Sequence, residues 1–228
     1  MTKHVGVFLS ILWFFVGCGS VNPNSPREFK SYRQVDGVSE PYHSPGGWEK
    51  PIRFHLSDEF PSQLVHPTLN AIDTWNDAIG YEALVFEGMV QVDSPDSLYD
   101  SLDDDYTVLY WQKRWSETLG KDPSTHATTI WTNYLERPDV IERADILLNA
   151  ETYDFCNFDD GIRRTGQMGK TRIDSESVLL HEFGHVLGLG HILTEDDPGS
   201  VMNPHYKKTR RRILSPSDLD NVRTIYGH

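Results

Sequence analysis

The sequence predicts an α+β domain, and three observations predict that class. Five short runs rich in β-branched and aromatic residues stand between turn-forming residues. Two other segments carry apolar residues at helical spacing, and a third, near the C-terminus, has clear helix start and stop signals. The 228 residues contain no internal repeat, so we expect one domain with a single core.

The first predicted strand, residues 47–56, precedes a predicted helix at residues 61–80. That helix has apolar residues on one side: Leu69, Ile72, Trp75 and Ile79. The other four strands are predicted at residues 84–86, 107–111, 126–131 and 144–149.

The second helix is predicted to begin at Asp174 or Ser175, since either side chain can cap its N-terminus. Its apolar face consists of Val178, Leu179, Phe183, Val186 and Leu187. The C-terminal helix has Ser215 as its N-cap, Pro216 at its first position and Gly227 as its stop.

Residues 181–191 of the second helix read H-E-x-x-H-x-x-G-x-x-H. Residues four apart lie on one face of a helix, so His181 and His185 point to a common position. His191 would lie about 9 Å further along a continued helix, too far to share a ligand with them. The helix must therefore end at Gly188, because glycine adopts the left-handed conformation that turns the chain back. We expect the three histidines to bind one Zn²⁺ ion.

Three imidazoles leave a fourth position open on tetrahedral zinc, which is typical of a catalytic site. We expect Glu182 to act as the general base for peptide-bond hydrolysis by a zinc-activated water. A simple surface role for this carboxylate is the alternative. At the level of the whole protein, the alternative is a catalytically silent, zinc-stabilised surface or interaction protein.

The eleven-residue motif resembles that of the metzincin metalloproteases, and residues 200–206 resemble their Met-turn. Met202, Pro204 and Tyr206 form an M-x-P-x-Y pattern most similar to the matrixins, as is the closing segment at residues 214–227. The resemblance covers most of residues 48–227 and is weak between 89 and 106. It implies a metzincin-like zincin fold, in which the five strands form a mixed, twisted sheet with an active-site helix, a Met-turn and a C-terminal helix.

The resemblance also implies that substrate lies along an edge strand, for which residues 125–133 are the candidate. The same residues could equally form an ordinary edge strand. Met202 would lie beneath the metal ligands, and Pro204 to Tyr206 would form the pocket wall. Ile192 follows the third histidine and matches no usual subgroup label, so the subgroup stays open.

The remaining histidines are scattered and predict no second zinc site. Two acidic segments could hold a structural Ca²⁺ ion, but they lack the spacing of a defined calcium loop, and we favour solvated loops. These segments contain Asp93, Asp96, Asp100 and Asp103 to Asp105, and Asp159 to Gly161.

The N-terminus predicts export. Residues 1–17 read as a signal peptide, and Cys18 follows a small residue as in a bacterial lipobox. We expect lipidation at Cys18, a flexible tether over residues 18–46 and a catalytic domain over 47–228. The expected location is the bacterial cell envelope, as an outer-membrane lipoprotein anchored by its lipid, with plain secretion as the alternative.

The net charge of −13 argues against nucleic acid or anionic lipid as partners. The motif and the metzincin resemblance imply protein or peptide substrates, and we expect a monomer. With Cys18 lipidated, Cys156 is expected to be a free thiol in a structural position. The basic segment at residues 207–212 could select acidic substrates or orient the domain toward an anionic surface. A solvated basic loop is the preferred interpretation.

Overall fold

The computed structural model describes residues 32–33, 39–98, 100–103, 106–158, 169–205 and 210–227. Its strands are β1 (Tyr32–Arg33), β2 (Ile52–Ser57), β3 (Leu84–Val90), β4 (Thr107–Gln112), β5 (Ala127–Asn133), β6 (Ile141–Asn149), β7 (Tyr153–Cys156) and β8 (Thr171–Asp174). Its α-helices are α1 (Val65–Ile79), α2 (Trp115–Thr118), α3 (Ser175–Val186) and α4 (Pro216–Tyr226). Two 3₁₀ turns lie at Ser62–Leu64 and Asp100–Asp103.

The main sheet has the strand order β1-β5-β6-β4-β2-β3. Strands β3, β2, β4 and β6 run parallel, and β5 is antiparallel to β6. These are the five predicted strands, and together they confirm the mixed sheet. The short strand β1 adds an antiparallel pair at the outer edge of β5, and β7 and β8 form a separate parallel pair. These three short strands were not predicted.

The larger core lies between one face of the sheet and helices α1, α3 and α4. Trp75 of α1 is fully buried there, and its indole N–H donates a hydrogen bond of 2.8 Å to the backbone oxygen of Leu180 in α3. A smaller cluster on the opposite face packs around Trp115 of α2. The successive residues Ile130 and Trp131 of β5 belong to different clusters, as the alternation of side chains along a strand requires. This packing fixes α3 rigidly against the sheet.

The elements agree with the sequence in order and differ mainly in their limits. The predicted helix at residues 61–80 begins with a 3₁₀ turn, and α1 ends at Gly80, whose φ is +91°. Strand β3 continues to Val90, four residues beyond the predicted end, because it pairs with β2 along its length. Among the described residues, no helix is long and apolar enough to cross a membrane.

Candidate metal centre

Asp174 is the N-cap of helix α3. The Asp174 carboxylate accepts hydrogen bonds from the backbone N–H of Ser177 at 3.1 Å and from its hydroxyl at 2.6 Å. His181 and His185 follow one turn apart on the same face of the helix. The helix then ends at Val186, and Gly188 has a φ of +94°, which confirms the predicted left-handed turn.

The three histidines of the motif converge on one point. Nε2 of His185 lies 3.1 Å from Nε2 of His181 and 3.2 Å from Nε2 of His191. Ligands bound to tetrahedral zinc at 2.0–2.1 Å would lie about 3.3 Å apart, so the spacing fits this ion. Within the described ranges, these residues are the one group of three metal-type side chains close enough to share an ion.

Hydrogen bonds at the opposite ring nitrogens set the tautomers. Nδ1 of His181 is 2.8 Å from the backbone oxygen of Val201, and Nδ1 of His185 is 2.8 Å from that of Leu189. A carbonyl oxygen accepts only, so each Nδ1 carries the proton and each Nε2 directs its lone pair toward the common point. Facing lone pairs repel one another unless a cation lies between them, and the donor set therefore fits zinc.

Burial keeps the ligands neutral. It lowers the pKa of His181. The hydrogen bond to Val201 and the negative charge of Asp218 oppose this effect, and the positive charge of Arg211 adds to it. Burial lowers the pKa of His185 well below its usual range, and the neighbouring imidazoles lower it further. Neutral imidazole is the form that binds a metal.

Glu182 is buried beside these ligands and faces strand β5. The hydroxyl of Thr129 donates a hydrogen bond of 2.6 Å to Oε2 of Glu182. Burial raises the pKa of Glu182 to about 7, while the Thr129 hydrogen bond and the positive charge of Lys121 act against that rise. A carboxylate with such a pKa can both take and release a proton near neutrality.

The segment at residues 200–203 supports the site as the Met-turn resemblance implies. Met202 is fully buried, and its sulfur lies so close to Gly184 of α3 that no larger side chain would fit there. The Asp218 carboxylate of α4 accepts hydrogen bonds from the Ser200 hydroxyl at 2.6 Å and from the Val201 backbone N–H at 2.9 Å. Because Val201 in turn accepts from His181, a chain of contacts joins α4 to the first ligand.

A cleft of about 430 Å³ opens over the three histidines and Glu182. Residues 124–129 form one side, and Val201, Asn203, Pro204 and His205 form the other. Pro204 thus lines the cleft, and its role as the wall of a substrate pocket stays a prediction. Tyr206 and Cys18 lie outside the described residues, as do Asp104, Asp105 and the segment at residues 159–161.

The candidate substrate strand is only partly open. Thr128 and Thr129 line the cleft, but Trp131 and Thr132 pair with Arg33 and Tyr32 of β1, and every residue of β5 is buried. The expectation of a freely exposed edge is therefore wrong for the second half of β5. A two-residue strand carries no usable pattern in the sequence, so this pairing could not be predicted.

Residues around the start of the first predicted strand also contact the site. His43 stacks on Trp131 at 3.6 Å between ring centroids, and its Nε2 is 2.7 Å from the backbone oxygen of His185. The indole N–H of Trp48 donates to the backbone oxygen of Val186 at 2.6 Å, and Glu40 pairs through its backbone with His191. Residues 39–46 fall within the predicted tether, and the sequence alone did not reveal these contacts.

Cys156 and the acidic residues take other positions. Cys156 is half-buried in β7, its thiol is 3.5 Å from the backbone oxygen of Ile173, and it is not part of the histidine cluster. Burial raises the pKa of that thiol, which favours a structural position. Asp96 pairs with Arg114 at 2.9 Å at the surface.

A mixed sheet packed on a helix that bears H-E-x-x-H, with a third histidine beyond a glycine turn, defines the metzincin class of zinc-protease fold. A model of the matrixin peptidase family matches residues 70–227, well over half of the chain. The chain belongs to the matrixin family.

Individual relatives match over shorter stretches. A soybean (Glycine max) metalloendoproteinase 1 is 44% identical over 55 residues, which are 24% of this chain and 17% of that protein. The human (Homo sapiens) neutrophil collagenase is 44% identical over 52 residues, 22% of this chain and 10% of that protein. Metalloendoproteinase 5-MMP of Arabidopsis thaliana is 40% identical over 58 residues, 25% of this chain and 15% of that protein. The chain thus matches less than a fifth of the length of each of these relatives.

Proposed function

We propose that this protein is a zinc-dependent endopeptidase. His181, His185 and His191 would hold the ion, which supplies Lewis acidity toward a water molecule and the scissile carbonyl. The observation that carries the proposal is the convergence of three Nε2 atoms, at separations of 3.1 and 3.2 Å, in the cleft that also contains the Glu182 carboxyl group. Family membership and the metalloendoproteinase names of the relatives support the same chemistry.

Glu182 would act as the general base and then as the general acid. Its carboxylate, held by Thr129, would take the proton of the attacking water and pass it to the leaving amine. The pKa of about 7 suits both steps, because the group changes its protonation readily at neutral pH. Residues 124–129 on the β5 side of the cleft include no carboxylate, lysine or arginine, and an extended peptide would lie along them.

The test is cleavage of a peptide library by the purified full chain, with zinc and with a chelator. We expect chelation to abolish cleavage and Glu182→Gln to reduce kcat/KM by about a hundredfold or more, with zinc still bound stoichiometrically. The matched control is Glu117→Gln, because Glu117 is an exposed carboxylate on α2. This variant should cleave peptides as the wild type does. Cleavage that survives chelation or Glu182→Gln would refute this mechanism. Stoichiometric zinc without any turnover would favour the silent surface protein, and activity on envelope fragments alone would indicate a non-peptide amide substrate.

Lipid attachment at Cys18 and residence in the cell envelope form a separate part of the proposal, supported by the apolar run and the small residue before this cysteine. Metabolic labelling with a radioactive fatty acid should mark the wild-type chain and leave Cys18→Ser unlabelled. Unlabelled wild-type protein in the culture medium would instead support plain secretion.

A further inference from the structure

Two adjacent arginines of the basic segment have opposite environments. The guanidinium of Arg212 pairs with Asp174 at 2.5 Å and with Glu176 at 3.2 Å, and only 15% of its side chain is exposed. Arg211 has no carboxylate within ion-pair distance among the described residues. Its one side-chain hydrogen bond there runs from NH1 to the backbone oxygen of Ser200 at 3.2 Å. The preferred interpretation of a solvated basic loop is therefore wrong for Arg212.

Arg211 lines the same cleft as the three histidines and Glu182. It stands beside Ser177 and Val178, which precede His181 by four and three residues on α3. At 1.5 Å per residue, the cleft thus extends about 5 Å beyond His181 toward the start of the helix. Arg211 lies at that end.

The backbone holds Arg211 in place. Its N–H donates a hydrogen bond of 2.8 Å to the hydroxyl of Ser177, and the ion pairs of Arg212 anchor the next residue. The NH1 bond to Ser200 uses one of the five N–H donors of the guanidinium. No described residue accepts a hydrogen bond from the other donors, and their fork geometry suits a carboxylate ligand in the cleft.

No described carboxylate that lines the cleft lies within ion-pair distance of Arg211. Glu182 is the carboxylate among the lining residues, and it already accepts from Thr129. The remaining polar residues of the lining are serine, threonine, asparagine and histidine. A substrate group with a negative charge would therefore complete the site.

We propose that Arg211 is a specificity-determining residue that selects substrates with a carboxylate beside the scissile bond. This inference rests on the proposed endopeptidase function and narrows its substrate class. The carboxylate could belong to a glutamate or aspartate side chain or to the C-terminus of the substrate, because both present the same two oxygens. A neutral side chain in this position leaves the guanidinium desolvated without a partner, so the cleft should discriminate strongly against it.

The experiment compares peptide pairs on the full, zinc-loaded chain. Library cleavage first locates the bond, and peptides then differ only in glutamate or glutamine at each position flanking it. In a further pair, the peptide chain ends at the flanking position, with either a free C-terminal carboxylate or a C-terminal amide. We expect one position at which glutamate or the free carboxylate raises kcat/KM by about tenfold or more. Arg211→Leu should abolish the preference for the charged peptide, and Arg211→Lys should retain part of it. Arg210→Leu is the control, because it removes the same charge from an exposed neighbour, and it should retain the full preference.

Binding gives a second measurement that does not require turnover. The same peptides, labelled with fluorescein, are titrated into zinc-loaded Glu182→Gln chain with and without Arg211→Leu. The proposal requires the ratio of Kd values for the charged and neutral peptides to collapse when Arg211 is lost. Equal affinities in both backgrounds, or cleavage without preference for a carboxylate, would overturn it. Absence of all cleavage together with charge-selective binding would refute the endopeptidase function and leave the role of Arg211 supported.

Discussion

The hydroxyl of Thr129 in strand β5 donates a hydrogen bond of 2.6 Å to the carboxylate of Glu182 in helix α3. The strand that would receive substrate is thereby joined to the candidate base. The bond also opposes the effect of burial, which raises the pKa of Glu182 to about 7. The hydrogen bond between Thr129 and Glu182 would therefore influence both the position of the substrate strand and the proton affinity of Glu182.

Replacing Thr129 with valine should move the acidic limb of the pH–activity profile to higher pH. The hydrogen bond favours the ionised carboxylate, so its loss raises the pKa of Glu182 and reduces the fraction of active base below neutrality. The profile of kcat/KM against pH measures this directly. Thr129→Ser keeps the hydroxyl and should restore the wild-type limb. Thr132→Val is the control, because the Thr132 hydroxyl makes no hydrogen bond to any described residue. An identical acidic limb in Thr129→Val and wild type would contradict the assignment.

The turn after α3 should tolerate no side chain at Gly188. A Cβ added there would lie 2.5 Å from the backbone oxygen of Ser44, and the φ of +94° adds left-handed strain. Gly80 has a similar φ of +91° with nothing within 4 Å of an added Cβ, so Gly80→Ala isolates the strain alone. We expect Gly80→Ala to cost about 1 kcal/mol of unfolding free energy, and Gly188→Ala to cost more and to weaken zinc binding. Urea unfolding and competition with a chromogenic zinc chelator measure both effects. Equal losses in the two variants would show that the Ser44 contact is unimportant.

The parts of the site that follow local rules were predictable. His181 and His185 are one helical turn apart, and Gly188 marks the turn, so the ligand set follows from backbone geometry alone. Five of the six strands of the main sheet likewise followed from short-range composition. Their order in the sheet is a property of tertiary pairing, which composition does not encode.

The contacts that tune the site join residues far apart in the chain. His43 and Trp48 bond to the backbone of residues 185 and 186. Arg211 is held at the cleft by the hydrogen bond of its backbone to Ser177, beside the ion pair of Arg212 with Asp174. No spacing rule links such positions. A basic run in a sequence is usually a solvated surface, and only the buried partner carboxylates distinguish Arg212 from that case.

Asp218 should be needed for the geometry of the first metal ligand. Its buried carboxylate accepts from Ser200, Val201 and the backbone N–H of Ser215, and Val201 accepts in turn from His181. Asp218→Asn replaces an acceptor oxygen with a donor, so at least one buried N–H or hydroxyl loses its partner. We expect a loss of about 2 kcal/mol in unfolding free energy and weaker zinc binding. Asp220→Asn is the control for the unfolding and zinc-competition measurements. Asp220 lies on the same helix, but among the described residues it belongs to no hydrogen-bond chain that leads to the site. Unchanged zinc affinity in Asp218→Asn would refute the link between α4 and His181.

The pair between Arg212 and Asp174 should make the stability of the cap of α3 dependent on pH. Burial alone would raise the pKa of Asp174, but hydrogen bonds from Arg212, Ser177 and the backbone of Phe158 reverse this, and the pKa is lowered. A carboxylate with a lowered pKa contributes stability above its unfolded value, about 3.9, and the contribution is lost as pH falls through the folded value. Arg212→Gln should therefore cost about 3 kcal/mol near neutral pH, and its difference from wild type should shrink below about pH 4 as Asp174 is protonated. Thermal unfolding in chelator at several pH values measures this difference without a contribution from zinc release. Arg53→Gln, which breaks an exposed pair with Glu87, should have little effect at any pH. A constant difference between Arg212→Gln and wild type from neutral to acidic pH would rule out Asp174 as the titrating partner.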